Sequence, residues 1–122
     1  MTEQQTLSPS QLRDLAIAAL EDAKASDIQV IDLAERSTFA DFMIICSGTS
    51  SRQVKAAAER VALRAKSAGV RPFGIEGTDE CEWVLVDLCD VVVHVMQPQA
   101  RAFYNLEKLW SAPPAATHSA QA

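Results

Sequence analysis

Two apolar, valine-rich runs, Trp83–Asp87 (WVLVD) and Val91–Met96 (VVVHVM), stand with little more than Leu88 and Cys89 between them. Short β-branched runs form strands, and a gap this small joins them as a β-hairpin. A hairpin alone is marginal in water, so the remainder of the chain must supply further strands and something to cover them. The chain has 122 residues, which suits one domain around one core.

The rest of the pattern provides those parts. Residues before Ser8 read as a flexible polar lead (1–7). Ser8-Pro9-Ser10-Gln11 then forms a helix start, with Ser8 as N-cap, proline at the first helical position and glutamine at the third. Leu12, Leu15, Ala16, Ala19, Leu20 and Ala23 follow at helical spacing, and the helix is expected to end near Ala25. Ile28–Leu33 reads as a strand, Arg36-Ser37-Thr38 as a connection, and Asp41–Ser47 as a second strand. That strand is apolar for most of its length and therefore belongs inside the sheet. After Gly48 and Thr49, Ser50 and Gln53 repeat the Ser-x-x-Gln capping pattern. Val54, Ala57, Ala58, Val61, Ala65 and Ala68 give the next helix its buried stripe, with Gly69 as its C-terminal cap. Arg71–Ile75 is a third strand, with Pro72 pointing to an edge position or a strand start. Gly77–Glu82 is a polar loop. Pro98 opens a last helix with Phe103, Leu106 and Trp110 on one face, and residues 111–122 read as a disordered tail. The fold class is α/β: one mixed sheet of about five strands flanked by helices, over residues 8–110.

Composition narrows the function. Apolar residues make up 48% and charged residues 22%, the balance of an ordinary globular protein. No apolar stretch approaches the roughly 20 residues of a membrane-spanning helix. The opening MTEQQTLSPSQ has neither the basic flank nor the apolar run of a signal peptide, so a cytoplasmic location is expected. Three cysteines without regular spacing make neither a disulfide framework nor a zinc site; Cys46 reads as core, Cys81 and Cys89 as partly exposed.

The net charge of −5 is unevenly spread. Between Pro72 and Ala100 there is no Lys or Arg, while that stretch holds Glu76, Asp79, Glu80, Glu82, Asp87 and Asp90. Five of the eleven basic residues lie between Arg52 and Lys66.

Each candidate site has a plain structural explanation beside it. A strand, the loop Ser47–Ser51 and a helix make the outline of a phosphate site, since free N–H groups at a helix start attract anions. The loop lacks the glycines and lysine of known phosphate loops, and a serine N-cap accounts for it. Asp87 and Asp90 are three apart across a turn, whereas carboxylates sharing a metal on one strand are two apart. In a two-residue hairpin loop they face each other, as a solvated turn or an acidic knob. His94 is a lone strand histidine, a packing residue or part of a binding face, with no identifiable nucleophile to serve. Trp83 and Tyr104 fit either the core or an interface, where such residues anchor partners. The basic helix face from Arg52 to Lys66 contains Glu59 and no interleaved aromatics, so solvation explains it better than nucleic acid does.

The blocks ADFMIICSGTSSRQVKA, GIEG, WVLVDLCDVVVHVM and RAFYNLEKLW, in that order, resemble the ribosomal silencing factor (Iojap-like) family. The resemblance runs from about Leu12 to Trp110. The family usually has Asp-Tyr-Gly-Asp at the hairpin, where this chain places Leu88 and Cys89 between its aspartates. The resemblance implies a nucleotidyltransferase-like fold without a catalytic site, hence no enzyme activity, cofactor or metal. It implies binding to the large ribosomal subunit through its ribosomal protein number fourteen, on the face that meets the small subunit. Subunit joining would then be blocked and translation repressed under nutrient limitation. It further implies homodimers in many members. A base-free acidic surface attracts a cationic ribosomal protein and is repelled by rRNA. On that basis Glu76, Trp83, Asp87, Asp90, His94 and Tyr104 form the expected partner-facing set. The competing expectations are a divergent metal-dependent nucleotidyltransferase using Asp87, Asp90 and the Gly48 loop, an rRNA-binding module acting through Arg52–Lys66, and a dimeric adaptor for a non-ribosomal partner.

Overall fold

The computed structural model describes residues 7–33, 40–77 and 81–105, excepting the side chains of Phe103 and Tyr104. The elements run α1 (Pro9–Asp22), β1 (Ser26–Asp32), β2 (Phe42–Ser47), α2 (Ser51–Ser67), β3 (Gly74–Glu76), β4 (Trp83–Asp87), β5 (Val91–Met96) and α3 (Pro98–Tyr104). The five strands form one mixed sheet in the order β1-β2-β5-β4-β3. Only β2 and β5 pair in parallel; the other neighbours are antiparallel.

Local chemistry sets the helix ends. Ser8 accepts from the Gln11 amide N–H and the Gln11 side chain accepts from Ser8 N–H, which completes a capping box. α1 stops at Asp22, earlier than its stripe implies, because Lys24 turns to a φ of 68°. At α2 the Ser50 hydroxyl accepts from Gln53 N–H, but the Gln53 carbonyl oxygen takes the Thr49 N–H instead of the cap residue's. The same amide donates to Lys24 O at 2.8 Å, tying the start of α2 to the end of α1. α2 ends in a Schellman arrangement: Gly69, at φ 89°, donates to Lys66 O, and Val70 N–H reaches Ala65 O.

Strand alternation divides the core in two. Ile44, Cys46, Val84, Val86, Val91, Val93 and Val95 pack beneath the alanine and valine stripes of α1 and α2. Met43, Ile45 and Met96 face the other way and pack with Leu33, Ala40 and Ala100 of α3. Arg101 of α3, buried, donates from Nη1 to Ser47 Oγ at 2.8 Å and lies 3.6 Å from the Asp27 carboxylate. This charge is buried in company, as buried charges must be.

Three expectations need correction. β3 is the outer strand, but it covers only Gly74–Glu76, since Pro72 precedes the ladder and cannot donate to it. Cys81 is 5% exposed and belongs to the core beside α2; only Cys89 is exposed. The β4–β5 turn is shifted by one residue: Asp87 pairs with Val92 and Leu88 N–H donates to Val91 O, so Cys89 and Asp90 form the turn and Asp90 does not oppose Asp87. The Arg36-Ser37-Thr38 connection, the ends of the chain, Leu106 and Trp110 lie outside the described residues.

Candidate binding face

The register brings most of the expected set to one side of the sheet. Glu76 pairs with Leu85, Leu85 with His94, and His94 with Ile45, so these four side chains form one row on the face away from α1 and α2. The next row on that face runs from Asp87 through Val92 to Met43. Trp83 pairs with Met96 and projects the same way. Glu76 is exposed, and Trp83, Leu85, Asp87 and Val92 are half-buried. Neighbouring strands lie about 4.8 Å apart, so Glu76 and His94 are separated by roughly 10 Å across the sheet. The backbone of Tyr104 ends α3, and its side chain lies outside the described residues.

His94 enters this face from below. It is 8% exposed, and its Nδ1 accepts from the Trp83 indole Nε1–H at 2.9 Å, with ring centroids 5.8 Å apart. Burial pushes its pKa down from 6.5 to about 4, so the ring is neutral near pH 7 and the Nδ1 lone pair stays available to the indole. His94 therefore orients the tryptophan and offers a partner little surface of its own. Sequence spacing had not joined these two residues. The available signal was parity, because an odd-numbered position on one strand and an even-numbered one on the other share a face in this hairpin.

The acidic turn is locally organised. Asp87 Oδ1 accepts from Cys89 N–H at 2.8 Å, as aspartates do when they cap a turn. Cys89 stands at φ 77°, a conformation that suits glycine, and Asp90 is exposed at the tip. Leu88 is buried and anchors the turn in the core. Gly77, at φ 91°, closes the far end of the face: a Cβ there would lie 2.2 Å from Trp83 O. That close approach is the physical requirement behind the second glycine of GIEG.

The other candidates resolve into structural roles. At the Ser47–Ser51 loop, Ser50 and Gln53 satisfy the helix start, and Gln97 Nε2 donates to Ser51 Oγ at 3.1 Å. Asp87 is engaged with the turn, and among the described residues no group of three or more His, Cys, Asp or Glu is placed to hold a metal ion. On α2, Arg60 and Arg64 face Asp22 of α1 in ion pairs, which assigns part of the basic face to packing between helices. Burial raises the Cys46 thiol to about 12 despite the nearby Arg101 guanidinium, and its Sγ lies 3.7 Å from His94 O. It is not a nucleophile at neutral pH. Among the described residues no helix is long and apolar enough to cross a membrane.

The fold and this face define a class: a small α/β domain with one sheet face under two helices and the other bearing an aromatic, acid-rimmed surface. The family model "Ribosomal silencing factor during starvation" matches residues 6–122, and the chain belongs to that family. It is 48% identical to the ribosomal silencing factor of Chromobacterium violaceum over 100 residues, covering 82% of each chain. It is 46% identical to that of Bacillus subtilis over 102 residues, covering 84% of this chain and 86% of the relative. A crystal structure of a Chromobacterium violaceum protein superposes with a TM-score of 0.85 at 45% identity, covering 88% of this chain and 89% of that one. A more distant relative is the mouse protein named mitochondrial assembly of ribosomal large subunit protein 1, 36% identical over 80% of this chain and 44% of its own length. Family membership places the chain among ribosome-associated proteins of translation regulation.

Proposed function

We propose that this protein is a cytoplasmic repressor that binds the large ribosomal subunit and blocks its joining with the small subunit when nutrients are scarce. It acts by occupying a surface and not by catalysis. The docking partner is the ribosomal protein numbered fourteen, on the intersubunit face. The contact surface is the sheet face carrying Glu76, Trp83 and Asp87, extended by Asp90 at the turn and by Tyr104 of α3, with His94 fixing the indole. The observation that carries this reading is the convergence of two acids and an aromatic ring on one sheet face, within a stretch from Pro72 to Ala100 that contains no Lys or Arg. Such a surface favours a cationic protein over the phosphate backbone of rRNA around it. A half-buried tryptophan, locked by its hydrogen bond, loses little entropy on docking.

The test is sedimentation with purified large subunits, followed by addition of small subunits. The protein should migrate with the large subunits and lower the yield of joined ribosomes, and Trp83→Ala should weaken both effects together. Joining that proceeds normally on large subunits carrying the protein would remove the proposed mechanism.

A further inference from the structure

A second surface lies on the opposite side of β3. The four large apolar side chains exposed among the described residues are Val30, Leu63, Phe73 and Ile75. Three of them fall on α2, on the α2–β3 connection and on β3. Phe73 is 81% exposed, between Pro72 and Gly74, and Ile75 is 39% exposed because α2 packs over β4 and β5 and leaves β3 partly uncovered. The two chain neighbours of Phe73, Pro72 and Gly74, line a groove of about 680 Å³ together with Lys66, Gly69, Arg71 and Ile75. Leu63 stands one helical turn before Lys66.

The groove is cationic as well as apolar. Lys66 and Arg71 are both exposed, and among the described residues neither has an ion-pair partner, in contrast to Arg60 and Arg64 beside Asp22. Glu76, the acid on β3, projects to the other side of the sheet. Among the described residues nothing acidic lines the groove. The segments of the chain outside the described residues at its two ends do not match it in charge. Residues 1–6 contain one acid, Glu3, and residues 106–122 contain one, Glu107, beside Lys108.

We infer that this groove docks an acidic, apolar-containing peptide segment of a second protein, separate from the partner at the acidic face. Its leucine or phenylalanine side chains pack against Phe73, Pro72 and Ile75, and its carboxylates meet Lys66 and Arg71. Apolar contact at the centre with charge at the rim is the usual anatomy of such a site. The charges set partner choice and encounter rate, and the phenyl ring supplies the anchor. The protein then presents two surfaces of opposite charge on opposite sides of its outer strand, each selective for a partner the other repels.

The experiment is an NMR titration of the isotopically labelled full chain with a synthetic ten-residue peptide of alternating Asp or Glu and Leu or Phe. Backbone signals of Lys66, Gly69, Arg71, Gly74 and Ile75 should move together. Lys66→Glu with Arg71→Glu should weaken binding by about tenfold, and Phe73→Ser by a similar factor, while the dispersed spectrum of the fold is kept. Because these side chains are exposed, the variants should fold; thermal unfolding checks that directly. Three outcomes overturn the proposal: shifts that map elsewhere, equal affinity in the variants, or equal response to a polyphosphate or an RNA oligonucleotide, which would make the groove a site for phosphate anions. Concentration-dependent shifts at these same residues without peptide would assign the groove to a second copy of this chain and also overturn it. None of these results depends on ribosome binding, so failure here leaves the proposed function untouched.

Discussion

On the side under α1 and α2, β5 presents Val91, Val93 and Val95, all fully buried; on the other side the same strand presents Val92, His94 and Met96. β4 repeats the contrast, with Val84 and Val86 buried on one face and Trp83, Leu85 and Asp87 half-buried on the other. One face is uniform in chemistry and closed by helices. The opposite face mixes aromatic, acidic and imidazole groups in a single layer. Period-two alternation lets one strand satisfy both demands without compromise. The comparison teaches where substitution should damage the fold and where it should change recognition.

The largest effect should come from the closed face. Ile44→Ala, beneath the helices, is expected to cost about 4 kcal/mol in urea unfolding, whereas Val92→Ala on the other face should cost about 1.5 kcal/mol. Equal losses would show that both faces carry the same packing load. Next in size is the pH dependence set by His94. Its folded pKa lies below its unfolded value, so its contribution is fully present above pH 6.5 and is lost as pH falls towards 4. The loss amounts to about 3 kcal/mol at the acid end. Stability measured from pH 7.5 to pH 4 should fall through that window, along with a change in Trp83 fluorescence as Nδ1 gains its proton. His94→Asn should flatten this part of the curve.

Gly77→Ala should then cost roughly 2 kcal/mol, since it combines a positive φ with a contact onto Trp83 O. It should also perturb the indole signal more than a core variant of equal cost. The smallest change should be a gain. Cys89→Gly is expected to add about 1 kcal/mol of stability by relieving the left-handed backbone at the turn, read as a higher midpoint in denaturant. It also removes the single exposed thiol among the described residues.

Much of this contrast was readable in the residues themselves. The limits of β4 and β5 follow from their valine runs, and the helix starts follow from Ser8 and Ser50, because both signals are local. The features that escaped were non-local. Cys81 reads as a loop residue, whereas it is buried in the core cluster shared with α1 and α2. The turn reads as Leu88 and Cys89 until Leu88 takes a place in the core and moves it one residue on, to Cys89 and Asp90. Asp87 and Asp90 could be named as a pair, but the register decides that one caps the turn while the other sits at its tip. The Trp83–His94 hydrogen bond required both correct parity and a geometry that composition does not encode.

The central claim concerns which face meets the ribosome, and charge can be reversed on one region at a time. Glu76→Lys, Asp87→Lys and Asp90→Lys together recast the acidic face, while Arg52→Glu and Lys55→Glu recast the exposed side of α2. The two variants should be sedimented with purified large subunits side by side at one salt concentration. The account predicts that the acidic-face variant stays in the supernatant while the α2 variant pellets like the unmodified protein. Pelleting of the first, or loss of the second, would contradict it.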